Sequence, residues 1–214
     1  MEKANELDLI FDGIRKYLDS MDKTREKILA AQRKSVRMCS EIIKKIHREE
    51  LDGIQKRIQQ AKLEFKKIEE QLQHAPGDFS KNYRGLAAQE LGEAVIFYEI
   101  IVNGKYPSPQ ECGIKLIDYA YALSDVVGEL RRRILKNIRE EDLDVAQDIF
   151  DIMNEIYQQL FTLDYPGGLI PGLRRKIDVA RSILAKTEGD LTMSTNIVKL
   201  NKALDNFSEK KTKE

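Results

Sequence analysis

The sequence predicts an all-α protein, with six to seven long helices packed as a bundle. Three observations predict it. Apolar residues recur at spacings of three and four along most of the chain, and no stretch alternates as a strand does. Ala, Glu, Lys, Leu, Arg and Ile dominate, whereas glycine (12) and proline (5) are few among 214 residues, a balance that favours helix. The Gly and Pro present are gathered into a few short breaks, so the periodic runs between them are long.

Leu7, Ile10, Ile14, Leu18 and Met21 begin the first stripe, which continues through Ile28, Ala31, Cys39, Ile43 and Ile46. The expected element is one very long helix over 4–48. Leu51, Ile54, Ile58, Ala61, Phe65, Ile68 and Leu72 then repeat strictly as 3-4-3-4, the narrow seam of a coiled-coil-like contact. Pro76 and Gly77 interrupt it. The third helix, over 83–102, reads YRGLAAQELGEAVIFYEIIV and ends near Asn103-Gly104, where glycine can take a left-handed cap. Ser108, Pro109 and Glu111 form a capping-box signature for a fourth helix, with Leu116, Ala120, Leu123, Val127, Leu130 and Ile134 turned inward. A fifth helix spans about 141–163 and buries Ala146, Ile149, Met153, Ile156 and Leu160. After Pro166, Gly167, Gly168 and Pro171, a sixth covers about 172–186 and a short seventh about 196–206. No linker is long or biased enough to divide the chain, so a single helical domain over 1–208 is expected, with a frayed charged tail at 209–214.

Lys+Arg and Asp+Glu number 36 each, so the chain is not a polycation and any nucleic-acid binding must come from local patches. Cys39 and Cys112 have no metal or redox spacing and read as reduced, buried, small apolar residues. No apolar run reaches the roughly 20 residues that cross a bilayer, and the first residues alternate in charge instead of forming a signal core. The expectation is a soluble, cytoplasmic protein without a membrane partner.

Glu90 and Glu93 are the conflict in this pattern. They lie about 60° apart on one face of a greasy helix, the face that also carries Leu86, Phe97, Ile100 and Ile101. An ionised carboxylate is costly to bury alone, so the pair calls for a cation, a basic partner or a wet cavity. Salt bridges inside the bundle or across a subunit contact satisfy that need as well as a metal does. A second pair, Asp125 and Glu129, stands four apart on the fourth helix, on a face shared with Asp118, Arg132 and Lys136 and opposite its apolar stripe. A solvated surface explains that face too. Gly128 beside it, at a cost of roughly 1 kcal/mol relative to Ala, suggests a close helix approach. In a simple hairpin of the third and fourth helices the two pairs differ in depth by roughly 15 Å. They can meet only if 106–113 is partly non-helical or bent.

Four carboxylates together would suit Mg²⁺ or Mn²⁺, ions that assist phosphodiester cleavage. His47 and His74 sit in polar contexts and are expected at the surface, which disfavours zinc and general-base histidine chemistry. The Glu-x-x-His signature of a ferritin-like di-iron site is missing. Basic residues cluster at Arg33, Lys34, Arg37, Lys44, Lys45 and Arg48, at Lys56, Arg57, Lys62, Lys66 and Lys67, and around the acids as Lys81, Arg84, Arg131, Arg132 and Arg133. Most such runs are solvated faces. The last group flanks the acids and is placed to hold a polyanionic backbone. Tyr83, Tyr119 and Tyr121 either stack on unpaired bases or pack in the core.

The segments AAQELGEAVIFYEIIV, LSDVVGELRRRILKNI, EEDLDVAQDIFDIMNEIYQQLF and PGGLIPGLRRKIDVARSILAKTE, with MDKTREKILAAQRKSVRMCSEII near the start, resemble the translin family over about 8–190. The resemblance is closer to the translin-associated factor X branch than to translin itself. The family's Q-E-x-x-E-A motif stands here as Gln89, Glu90, Glu93 and Ala94, and its D-x-x-G-E-L motif as Asp125, Gly128, Glu129 and Leu130. It implies a Mg²⁺-dependent endoribonuclease acting on single-stranded RNA, with DNA as a further ligand. Glu90, Glu93 and Asp125 would carry catalysis, Glu129 would be an additional ligand, and these acids would converge. It also implies a hollow assembly of six to eight subunits, here a homo-oligomer. The alternative within the family is a non-catalytic shell that binds single-stranded RNA or DNA.

Overall fold

The computed structural model describes the backbone of residues 2–73 and 79–211 and the side chains of residues 6–73 and 85–205. Among the described residues there are helices and turns and no strand. Internal contacts divide the chain into two compact units, residues 1–118 and 119–214.

The first unit holds α1 (Glu2–His47), α2 (Ile54–Gln73), α3 (Phe79–Asn103) and the single turn α4 (Pro109–Cys112). Lys34 of α1 pairs with Glu64 of α2 at 3.0 Å, and Glu41 with Arg57 at 3.9 Å. As one number rises the other falls, so α1 and α2 run antiparallel. The seam of α2 is buried at Ile54, Ile58, Ala61, Phe65, Ile68 and Leu72. Leu51, expected to begin it, is exposed because it belongs to the turn before the helix. α3 packs on both α1 and α2. It is buried nearly all round, through Ala87, Ala88, Leu91, Ala94, Val95, Ile96, Phe97, Tyr98 and Ile100, as a central helix must be. Leu86, assigned to the same stripe, is exposed.

His47 corrects the surface expectation. It is buried, and its ring lies 4.9 Å from that of Phe97. Its polar neighbours hid its register: it continues the stripe of Cys39, Ile43 and Ile46, all buried. His74, like Lys81, Tyr83 and Arg84, lies outside the residues whose side chains are described.

The chain leaves α3 through Gly104, at φ 63°. The Ser108 capping box forms as expected, with Glu111 N–H donating to Ser108 Oγ at 3.2 Å and Ser108 N–H to Glu111 Oε2 at 2.7 Å. It opens only α4, however. Gly113 takes the left-handed conformation at φ 77° and ends the helix after one turn. The expected fourth helix is thus two elements, and the acids lie on the second, α5 (Leu116–Arg139). The break falls at the end of the 106–113 stretch. Leu116, expected inward, is exposed because α5 only begins there.

The second unit contains the body of α5, α6 (Leu143–Phe161) and α7 (Leu173–Lys211). Tyr121 O–H donates to Pro171 C=O, Lys176 grips Asp125, and Arg131 reaches Thr187 and Asp190. Both numbers rise together, so α5 and α7 run parallel, with α6 making the return. The five inward residues expected on α6 are all buried. The last two expected helices are one continuous rod, α7. Thr187, Ser194 and Thr195 each donate to the carbonyl four residues back, at 2.7–2.9 Å. Hydroxyls that compete for backbone in other contexts are satisfied here within the helix.

Candidate acidic site and its basic surroundings

Glu90 and Glu93 are both half-buried on α3, between the buried Ala88, Leu91 and Ala94. Both lie near Cys39 of α1. Burial pushes the Cys39 thiol up to about 12, and the charges of Glu90 and Glu93 push in the same direction. α1 and α3 are therefore parallel here, with Cys39 opposite the acid pair and His47 opposite Phe97. Neither glutamate stands without interactions in its surroundings. Cys112 is likewise buried, and its thiol is raised to about 12 chiefly by burial. Both cysteines are reduced core residues, as their spacing suggested.

Asp125 and Glu129 stand one turn apart on α5 and are half-buried rather than solvated. Asp125 already has a cation. Lys176 Nζ lies 2.5 Å from Oδ1 and 2.6 Å from Oδ2, with each side chain 32% exposed. Glu129 has Arg132 at 3.7 Å, a loose pair. Asp118, expected on the same solvated face, is buried. Gly128 has nothing among the described residues within 4 Å of an added Cβ, so it marks no close helix approach. Among the described residues of either unit, no three His, Cys, Asp or Glu side chains are grouped as a metal would need. The donors themselves are hard carboxylate oxygens, the chemistry Mg²⁺ prefers. At Asp125 the need for a positive charge is met by Lys176.

The arginine triplet fans out around α5, since consecutive helical residues point about 100° apart. Arg131 donates to Thr187 Oγ1 and Asp190 Oδ2, both at 2.8 Å, and so ties α5 to α7. Arg133 is half-buried, and Arg132 alone of the three is exposed. Tyr121 is a structural hydroxyl, donating to Pro171 C=O at 2.8 Å, and Tyr119 is half-buried. Arg33, Arg37 and Lys44 of α1, and Arg48 in the turn that directly follows it, are all exposed, and at helical register they fall within about 60° of one another. They form a cationic ridge about 22 Å long at 1.5 Å per residue. Sequence reasoning had noted these residues as one of several charged runs; the helical register singles them out. Lys176 was missed altogether, because nothing in its local sequence points to Asp125.

A relative in Methanocaldococcus jannaschii, an uncharacterised protein, is 34% identical over 192 residues, covering 88% of this chain and 84% of that one. Among solved structures, that of the AfC3PO–duplex RNA complex is similar with a TM-score of 0.73 and 25% identity, over 89% of this chain and 98% of that one. The crystal structure of apo-NeC3PO superposes with a TM-score of 0.75 at 20% identity, over 86% and 96% of the two chains. The last likeness speaks for the fold alone. The Translin family matches residues 11–191, a stretch that takes in the acid pairs of both α3 and α5, and the chain belongs to that family.

Proposed function

We propose that this chain is a Mg²⁺-dependent endoribonuclease of the translin-associated factor X type that cleaves single-stranded RNA. The observation that carries the reading is the acid pair Glu90 and Glu93, half-buried on an otherwise buried helix, in a member of the translin family. Carboxylates drawn partly out of water call for compensating charge or hydrogen bonds, and a bound cation is one way to supply it. Glu90, Glu93 and Asp125 would hold Mg²⁺ or Mn²⁺, and Glu129 would assist. The ion, when bound, would lower the pKa of water and offset charge on the phosphate.

Arg132, Lys81 and Arg84 would hold the RNA backbone beside the acids. Arg131 must release Asp190 before it can do so, and the half-buried Arg133 has less reach. The relative bound to duplex RNA supports RNA as the ligand class; single strands remain this reading's own choice. A homo-oligomer of six to eight subunits is proposed as the working form. It is supported by exposed apolar residues at helical spacing, Leu7, Ile10, Ile14 and Leu18 on α1 and Met193, Ile197, Leu200 and Leu204 on α7.

End-labelled single-stranded RNA, incubated with wild type and with Glu90→Ala/Glu93→Ala, tests the proposal. Cleavage that needs Mg²⁺, stops with EDTA and is lost in the variant is expected. Equal, EDTA-insensitive cleavage by both proteins would remove it. A second reading, a shell that binds single-stranded RNA or DNA without cutting it, is favoured by one observation: Lys176 occupies the carboxylate of Asp125. It predicts salt-sensitive retention of RNA in a gel shift and no Mg²⁺-dependent products.

A further inference from the structure

We propose that the cationic ridge of Arg33, Arg37, Lys44 and Arg48 docks the phosphate backbone of double-helical RNA, on a surface separate from the acid pair. The inference rests on the reading of RNA as this chain's ligand. The four cations lie about 120–180° around α1 from Cys39, at roughly 100° per residue, and Cys39 is the side chain of α1 that feels Glu90 and Glu93. The ridge therefore faces away from the acids of α3, and RNA lying along it is held apart from them.

The positive charge of the ridge is available. Among the described residues Arg33, Arg37 and Lys44 enter no ion pair, and Arg48 lends part of its field to Glu50. The acids on the neighbouring edge are taken: Glu64 by Lys34 and Lys67, both at 3.0 Å, and Glu41 by Arg57 at 3.9 Å. Nearer the N-terminus the same face turns acidic at the exposed Asp19, Asp22 and Glu26, which Arg25 only partly offsets. That end repels a polyanion and bounds the ridge. Among the described residues no large apolar side chain of α1 beyond Leu18 is exposed. A protein partner would find no apolar anchor beside these charges. Rings are missing too. Between residues 33 and 67 the aromatic side chains are His47 and Phe65, both buried. Unpaired bases are held by stacking on exposed rings, whereas a double helix stacks its own bases and offers sugar and phosphate to be read by shape and charge. A straight line of cations without rings suits the second.

Fluorescence anisotropy of the full-length protein in EDTA tests this, with a labelled hairpin RNA and a single-stranded RNA of equal length. Wild type is compared with Arg33→Gln/Arg37→Gln/Lys44→Gln and with Arg33→Lys/Arg37→Lys. The glutamine variant should lose about tenfold or more in hairpin affinity, and its slope of log affinity against log salt should fall by about 2–3. Its single-strand affinity should fall by less than about threefold, since the phosphates there are held elsewhere. The lysine variant keeps the charges and should keep the slope. An unchanged slope in the glutamine variant, equal losses for the two RNAs, or a wild type that binds only the single strand overturns the inference. The nuclease reading, tested by Mg²⁺-dependent cleavage through Glu90 and Glu93, survives each of these. Wild type that binds neither RNA overturns both. A smaller assembly of the glutamine variant by light scattering assigns the ridge to a second copy of the chain and also overturns the docking of RNA. Should the triple variant not fold, Arg33→Gln/Arg37→Gln decides: a hairpin slope equal to wild type rejects the ridge.

Discussion

Replacing Arg131 by methionine should destabilise the second unit without acting first on RNA, whereas replacing its neighbour Arg132 should do the opposite. The guanidinium of Arg131 makes two bonds of 2.8 Å, one to Thr187 Oγ1 and one to Asp190 Oδ2, and its side chain is 25% exposed. Hydrogen bonds involving a charged partner contribute about 1.5–3 kcal/mol. Asp190 is 45% exposed, so solvent screening reduces that to about 1–2 kcal/mol. For a chain of this size each kcal/mol moves the melting temperature by about 2–4 °C, and Arg131→Met should melt about 2–8 °C below wild type. Arg132 is 59% exposed and lies 3.7 Å from Glu129, a pair of about 0.5 kcal/mol at most. Thermal melts followed by circular dichroism read the first effect, and RNA retention as a function of salt reads the second. A double-mutant cycle with Asp190→Asn should return a coupling of about 1 kcal/mol. Equal melting temperatures for the two arginine variants, or additive losses in the cycle, would refute the assignment of Arg131 as a strut between α5 and α7.

Three further outcomes follow from local geometry. Glu64 accepts hydrogen bonds from Lys34 and Lys67, which hold its carboxyl below the usual range. That contribution is present above the ordinary carboxylate pKa and lost as pH falls through the depressed one, so Glu64→Gln should cost about 0.5–1 kcal/mol at pH 7 and nothing once the wild-type carboxyl is protonated; a constant gap across the acid range would contradict this. Cys39, with its thiol at about 12, should resist iodoacetamide at pH 8 while the protein is folded, since only about one molecule in ten thousand is a thiolate, and fast stoichiometric labelling would show that the α1–α3 contact is open. Glu141 ends α5 at φ 62°, with Asp142 N–H donating to Asn137 C=O at 2.9 Å; Glu141→Gly should relieve the left-handed strain and stabilise by about 0.5–1 kcal/mol, and a lower denaturation midpoint would disprove the strain.

Patterns that repeat within one helix were legible, because burial leaves its mark every three or four residues. The seam of α2 from Ile54 to Leu72 and the inward face of α6 from Ala146 to Leu160 are buried as their spacing requires. Errors arose where a local signal was real but its extent was set elsewhere. Ser108 caps a helix, yet Gly113 ends that helix after one turn. Gly189 and the threonines around it weaken the helical pattern of α7, yet the rod continues because Thr187 is buried and bonded to Arg131 and to Ile183 C=O. His47 was legible in register but was judged by its polar neighbours.

The site divides in the same way. Glu90 and Glu93 announce themselves because a charge within an apolar stripe is a local contradiction, visible without any fold. Asp125 carries no such mark: on its own helix it reads as one more surface acid. What distinguishes it is Lys176, 51 residues later, brought to it by the parallel run of α5 and α7. At Asp125 a lysine supplies the cation from within the fold. Around Glu90 and Glu93 the negative charge is strong enough to add to the forces that keep the Cys39 thiol protonated.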